Sequence, residues 1–280
     1  GNAITYWNYL MGRHVLTGDN QDDALELLYN HNATHLLIDS TDIGKYGAFS
    51  SIGSNTDFDR YSFVGTFLQD ERQTKETNNQ TFLVYSGGIS VDEDLIINRD
   101  GQNVLLPANG AGIGAIVLPS QNIGEVISYG QPYIIAVYQG QQYNINLRYL
   151  NINGKFIDFG SGIKATAFVF PKLDINNGQI QLNDKGAAFY ISPRLMRGLL
   201  SQLYIMGDPL NNFPNFKLAH TEPSLVVDDL RNQGLPLPDF VYFQGIQGPI
   251  KIWEIEYTGN EKIKQEYLDT DETKYLDWVV

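Results

Sequence analysis

The chain has 280 residues, 42% of them hydrophobic and 18% charged, a globular balance with enough apolar material for a sizeable core. Nineteen Lys and Arg against 32 Asp and Glu give a formal charge of −13, which argues against a nucleic-acid backbone or an anionic membrane as partner, because counterion release needs a basic face. The absence of cysteine excludes disulfides, thiolate nucleophiles, cysteine-ligated zinc and iron–sulfur clusters.

Residues 22–30 carry Ala24, Leu25, Leu27 and Leu28 at helical spacing, with acids in the first turn to suit the dipole. His35 to Ile38 is a short apolar run that predicts a buried strand, after which Ser40 and Thr41 offer N-cap oxygens for a helix starting near Asp42. SFVGTFL (62–68) and TFLVYS (81–86) read as strands, separated by a solvated loop. From about Gly88 to Tyr190 short β-branched or aromatic runs alternate with turn signals at Asp100-Gly101, Asn153-Gly154 and Asn177-Gly178, as in a β-barrel or sandwich. Ser192 then reads as an N-cap with Pro193 at the first helical position, Leu195, Leu199, Leu200 and Leu203 as one stripe, and Gly207 as the stop. FKLAH, DFVYFQ and PIKIWEIEY read as strands, and the acidic end from Asn260 as peripheral. No apolar run reaches the ~18 residues of a spanning helix. The chain opens at Gly1 without methionine or signal peptide, so a processed or truncated product is expected.

Most candidate chemical signals fail on spacing. GAGIGA (110–115) has the outline of a dinucleotide fingerprint, but strand-like IVLP follows where a helix is needed, so a glycine-rich bend between strands is expected. His31 and His35 lie four apart, but one ends a predicted helix and the other opens a strand, so they do not share a face as metal ligands. The segments 174–185 and 269–280 begin like calcium loops and lack glycine at the sixth and glutamate at the twelfth position. Asn32-Ala33-Thr34 and Asn79-Gln80-Thr81 are glycosylation sequons, near the number chance gives. The remaining pattern is DIGKYGAFSSI, residues 42–52. On a helix it lines up Asp42, Lys45, Phe49 and Ile52: an acid, an ammonium donor and apolar surface in a row. By spacing alone this is a capped helix start with a surface ion pair worth under about 1 kcal/mol.

Asp42-x-x-Lys45 followed by Ile52 resembles the D-x-x-K-x-x-x-x-x-x-I motif of archaeal oligosaccharyltransferase catalytic subunits, the AglB family. The approach is similar too: a Gly-Asn opening, TYWNYLMGRHVLTGD, a short helix with Ala24 and Leu27, then a strand. SPRLMRGLLSQLYIMGDP, NFKLAHTEPS and GPIKIWEIEYTG resemble later parts of the same C-terminal globular domain, so the likeness covers most of the chain. The family's WWDYG hallmark is absent. Tyr6-Trp7-Asn8-Tyr9-Leu10 either aligns to the helix after it, so that the chain begins just past the hallmark, or is a degenerate form with Asn8 in place of the acid.

The resemblance implies transfer of a lipid-linked oligosaccharide to the asparagine of N-x-S/T sequons, at the extracytoplasmic face of a membrane. The catalytic acids and divalent metal (Mn or Mg) would belong to a transmembrane region absent from this chain. No catalytic residue, metal or cofactor site is then expected here, and the fragment alone is expected to be inactive. Its implied share is to recognise the +2 Ser or Thr of an acceptor polypeptide through Asp42, Lys45 and Ile52. The expected fold class is α+β: a core of residues 1–90 and 190–258 carrying the motif, an inserted β-rich barrel- or sandwich-like domain at 91–189, and an acidic tail at 259–280. The alternative is a secreted carbohydrate-binding or surface-layer β-rich module without catalysis.

Overall fold

Turn chemistry sets the strand boundaries. Asn153 (φ 52°) with Gly154 (φ 72°), and Asn177 (φ 51°) with Gly178 (φ 78°), take the double positive-φ conformation of tight hairpins that these residues adopt at least cost. In the computed structural model, which describes residues 2–77, 80–99, 101–123 and 126–269, the elements in chain order are as follows. Helix α1 (Asn2–Leu10) runs into a π-helical turn (Met11–Leu16), then α2 (Gln21–Asn30), strand β1 (His35–Ile38) and α3 (Ser40–Ile52). A long β series follows: β2 (Gly65–Gln69), β3 (Lys75–Glu76), β4 (Thr81–Ser90), β5 (Leu95–Arg99), β6 (Gln102–Leu106), β7 (Gly112–Ile123) and β8 (Val126–Tyr129). It continues through β9 (Tyr133–Tyr138), β10 (Gln141–Ile152), β11 (Lys155–Asp158), β12 (Ile163–Asn176) and β13 (Gln179–Ile191). The remainder is α4 (Pro193–Arg197), a second π-helical segment (Leu200–Met206), β14 (Phe216–Glu222), α5 (Leu225–Asn232), β15 (Val241–Tyr242), β16 (Ile246–Gln247), β17 (Ile250–Ile255) and α6 (Gln265–Leu268). None of the described helices is long and apolar enough to cross a membrane.

The class is α+β with a β-rich domain, at 23% helix and 43% strand. Two compact units divide the chain: residues 1–64, 197–224 and 248–280, and residues 65–196 and 225–247. The second unit is a closed seven-stranded barrel with the ring order β10-β9-β7-β4-β2-β13-β12. Parallel pairing of β12 back onto β10, from Leu147↔Ile163 to Ile152↔Val169, closes it. Inward residues such as Phe67, Tyr85, Ile116, Ile134, Leu147 and Ala167 fill the interior, as small barrels require. Against one wall α5 seats Val227 and Leu230 on Leu173 and Val241. The first unit holds the three-stranded sheet β1-β17-β14, with Leu36 and Ile38 buried and Leu37 turned out.

Several expectations are corrected. β2 and β4 pair with β13 and β7 as barrel staves, so the β-rich unit begins at Gly65 and not at residue 91. Residues 225–247, expected in the core, return to that unit because α5 and β15 bury their apolar residues there. The single helix from Ser192 to Gly207 is two segments: Ser192 does cap, accepting from Leu195 N at 3.1 Å, and Gly207 is left-handed at φ 73°, but residues 200–206 form a wide turn buried on every side. The acidic end is not peripheral through residue 269: Tyr267 is buried, and Lys264 N bonds Asn30 Oδ1 at 2.9 Å. Residues 270–280 and Asp100 of the first turn pair lie outside the described residues. Of GAGIGA, expected as a bend between strands, only Gly110 and Ala111 are in the turn; Gly112 to Ala115 are the first four residues of β7.

Glycines seat α3. A Cβ on Gly53 would lie 2.6 Å from Arg13 N, and one on Gly12 2.6 Å from Phe49 O, so the first π-helical turn and the end of α3 touch backbone to backbone. Gly44, inside α3, has nothing within 4 Å of its missing Cβ. Gly53→Ala is therefore expected to lower the urea midpoint by the equivalent of about 1–3 kcal/mol, the usual cost of overpacking. Gly44→Ala is expected to raise it by about 0.5–1 kcal/mol, since alanine restricts the unfolded chain. Equal effects of the two substitutions would contradict the backbone contact.

Candidate functional site

The D-x-x-K segment folds as a helix because its first turn is closed by its own side chains. Asp39, not Ser40 or Thr41, is the N-cap: its extended backbone (φ −127°, ψ 177°) lets Oδ1 accept from Thr41 N at 2.7 Å and from the Thr41 hydroxyl at 2.6 Å. Asp42 completes the capping box, its Oδ2 accepting from Asp39 N at 3.1 Å. The Thr41 hydroxyl, with backbone N–H bonds and the Lys45 charge, holds the Asp39 carboxyl below the usual carboxylate range despite slight burial.

Ile43, Tyr46 and Ser50 form the buried face of α3, at the spacing a helix requires. The opposite face carries the predicted site residues. Lys45 donates to Thr41 Oγ1 at 3.0 Å and lies 3.8 Å from Asp42 Oδ1, its side chain 58% exposed against 20% for Asp42. Ile52, on the last turn, is 38% exposed, and Phe49 between them is half-buried. Ile52 lies seven positions beyond Lys45, about 10 Å along an α-helix. The helix runs unbroken through Gly47 and Ala48. The three residues thus share one accessible stripe, with Asp42 engaged in the cap and the Lys45 ammonium leaning back over it.

What anchors the far end of α3 is absent from any local sequence pattern. Arg13 donates to Gly53 O at 3.0 Å, a carbonyl at the helix C-terminus, and grips Asp59 with both terminal nitrogens at 3.2 and 3.0 Å. Burial pushes the Asp59 carboxyl up, but the Arg13 bonds, the Asn55 N–H and the charges of Arg13 and Arg60 together hold it below the usual range. Ser50 straps the following loop: it donates to Ser62 O at 2.7 Å and accepts from Ser62 N at 3.1 Å. These partners are 12 to 46 residues apart; only the serine-rich run 50–54 hints at them.

The other sequence candidates do not converge. His31 ends α2 and stacks edge-on against Trp7 at 5.8 Å, while His35 opens β1 with its Nδ1 2.9 Å from Thr34 Oγ1. Tyr6-Trp7-Asn8-Tyr9-Leu10 lies wholly inside α1, where buried Tyr6 donates to Glu266 O at 2.7 Å. Among the described residues no three His, Asp or Glu side chains gather as metal ligands. The second sequon includes Asn79, outside the described residues. Compared with known proteins, the chain matches no protein-family model, no curated protein and no solved structure.

Two outcomes test this geometry. Asp39→Ala is expected to cost about 1 kcal/mol in urea denaturation as the cap is lost, and Lys45→Ala under about 0.5 kcal/mol because its ammonium is in solvent. The Asp59 contribution has a definite sign. With its folded pKa depressed, it is full above the ordinary value of about 3.9 and is lost as pH falls through the lower folded value. Wild type should therefore lose more stability than Asp59→Asn between about pH 6 and pH 2.5. Parallel acid profiles would mean that the Arg13–Asp59 clasp contributes nothing.

Proposed function

We propose that this chain is the acceptor-recognising globular domain of a membrane-bound oligosaccharyltransferase, which moves a lipid-linked oligosaccharide onto the asparagine of N-x-S/T sequons at the extracytoplasmic face. One observation carries the reading: Lys45 and Ile52 stand accessible on one stripe of a helix fixed at both ends, with Asp42 locked beneath the lysine. A hydroxyl at +2 needs a hydrogen-bond partner, and the Lys45 ammonium has donors beyond the one given to Thr41. A threonine methyl needs an apolar wall, which Ile52 and half-buried Phe49 offer. Asp42 positions the lysine and offsets its charge. Donor lipid, divalent metal (Mn or Mg) and the acids that engage the amide are assigned to a membrane region not contained in these 280 residues.

The test uses an enzyme carrying this domain on its membrane region, assayed with matched Asn-x-Thr and Asn-x-Ser peptides. Lys45→Ala is expected to lower transfer about tenfold, the loss of one charge-assisted hydrogen bond. Ile52→Ala is expected to narrow the preference for threonine by about fivefold, the worth of one methyl contact. Wild-type rate and KM in Lys45→Ala would leave the motif as a capped helix only.

The carbohydrate-binding alternative is favoured by a different feature, an open cleft of about 900 Å³ in the barrel unit lined by Gln69, Arg72, Lys172, Gln181, Asn183 and Asp184. Its mixed amides and charges suit a polyhydroxylated ligand. Saturable binding of a neutral tetrasaccharide there, with no effect of Lys45→Ala on transfer, would favour that reading.

A further inference from the structure

The barrel closes along only part of β10. Residues 141–146 pair with β9 on one side, whereas on the other side β12 joins at Leu147 and runs alongside to Ile152. Where β12 begins, Gly162 (φ 95°) presses against the strand, its missing Cβ 2.5 Å from Asn146 O. Before that point the second edge of β10 has no strand partner among the described residues. Opposite lies β5, whose strand partner among the described residues is β6.

Between these edges is a cavity of about 790 Å³, lined by residues 96–98 of β5, 142–146 of β10, and Gly162 and Ile163. The lining pattern fixes what kind of cavity this is. Successive strand residues point to opposite faces, so a hollow on a sheet face is lined by alternate residues. Five consecutive residues of one strand and three of another line this one, so it runs along two strand edges. In an antiparallel pair every second residue turns its N–H and C=O away from its partner, so β10 presents backbone donors and acceptors to the slot at a spacing of about 6.8 Å. Among the described residues no charged side chain lines it. Gln142, Asn144, Asn146, Ile96 and Asn98 are exposed.

We infer that this slot takes an extended, uncharged segment of a partner polypeptide, which adds as a strand to the free edge of β10. Regular backbone hydrogen bonding at strand spacing is the chemistry of β-augmentation, and the amides of Gln142, Asn144, Asn146 and Asn98 with exposed Ile96 suit neutral side chains. The repeat of N–H and C=O matches a peptide backbone and not a sugar ring. The inference is independent of the reading given to α3.

The experiment titrates the 280-residue chain with a capped hexapeptide alternating threonine and valine, and reads backbone amide exchange by NMR. The expected result is slowing of outward-facing amides within 142–146 by about tenfold or more at millimolar peptide, with exchange in α3 unchanged. The same peptide N-methylated at alternate residues is expected to give no protection, since it cannot complete the ladder. Asn144→Lys, at an exposed position, is expected to weaken the hexapeptide about tenfold with an unchanged thermal midpoint, as charged edges block pairing. Absence of protection at 142–146, equal protection by the N-methylated peptide, or a neutral tetrasaccharide protecting these amides where the hexapeptide does not, would each overturn the inference.

Discussion

The parallel register between β10 and β12 is the constraint on which the β-rich unit depends. Without it the sheet from β11 to β16 would be open, with β10 and β12 on separated staves and apolar inner faces such as Leu147 and Ala167 left without an opposite wall. A parallel pair cannot be made by a tight turn. Here the connection is supplied by β11, which folds back on β10 through the Asn153-Gly154 hairpin, and by the loop to Gly162. β10 is long enough, at 12 residues, to serve β9 with its first half and β12 with its second. The changeover falls at Leu147, where the β12 register shifts before Tyr149. That β12 leaves 141–146 uncovered is thus a consequence of how the barrel closes: β12 begins only at Ile163, beyond the first half of β10.

The helical unit solves a different problem, which is to hold a short helix firmly while leaving one face bare. A helix of 13 residues is marginal by propensity alone, and α3 carries three glycine or alanine positions on or near its open side. Tertiary contacts at the two ends make up the difference. The capping box satisfies N-terminal donors with Asp39 and Asp42, and the C-terminus is pressed onto the π-helical turn through Gly12 and Gly53 and closed by Arg13. The widened turn at Met11–Leu16 and the left-over carbonyls at the end of α3 are therefore complementary, backbone meeting backbone where side chains would have kept them apart.

Turn pairs, short apolar runs and apolar helical stripes were legible because each is a local property of the chain. Asn153-Gly154, Asn177-Gly178 and the α2 stripe stand where spacing puts them; the HLLI strand does too, but it is half-buried and not buried throughout, with His35 and Leu37 exposed. The unit boundaries were not legible, since whether SFVGTFL and TFLVYS join the barrel depends on pairing with β13 and β7, more than 100 and about 35 residues away. Residues 200–206 differ in the opposite way: the leucine stripe implies one buried face, whereas all seven residues, Ser201 and Gln202 included, are buried. The cap is not decided by residue type, because Asp39, Ser40 and Thr41 are all good cap types and only the extended backbone at Asp39 chooses among them. Within the candidate site, the Asp42–Lys45 proximity follows from helix spacing, whereas Arg13 and Asp59 meet across 46 residues and leave no periodic trace.

The exposure of Ile52 is by itself uninformative, as single apolar side chains on a surface are common. Its meaning depends on rigidity. Recognition of a hydroxyl and a methyl on one small side chain needs a donor and an apolar wall at a constant separation, and flexibility between them is lost binding energy. α3 meets that condition by having both ends fixed independently of Lys45 and Ile52 themselves: the cap uses carboxylates and backbone, and the far end uses glycine contacts and the Arg13 guanidinium. Lys45 and Ile52 are thereby relieved of structural duty. Residues with little role in stability are free to be chosen by what they touch, and to meet the hydroxyl and methyl of one side chain together with Ile52 the Lys45 ammonium has to swing off Thr41 toward the middle of the helix.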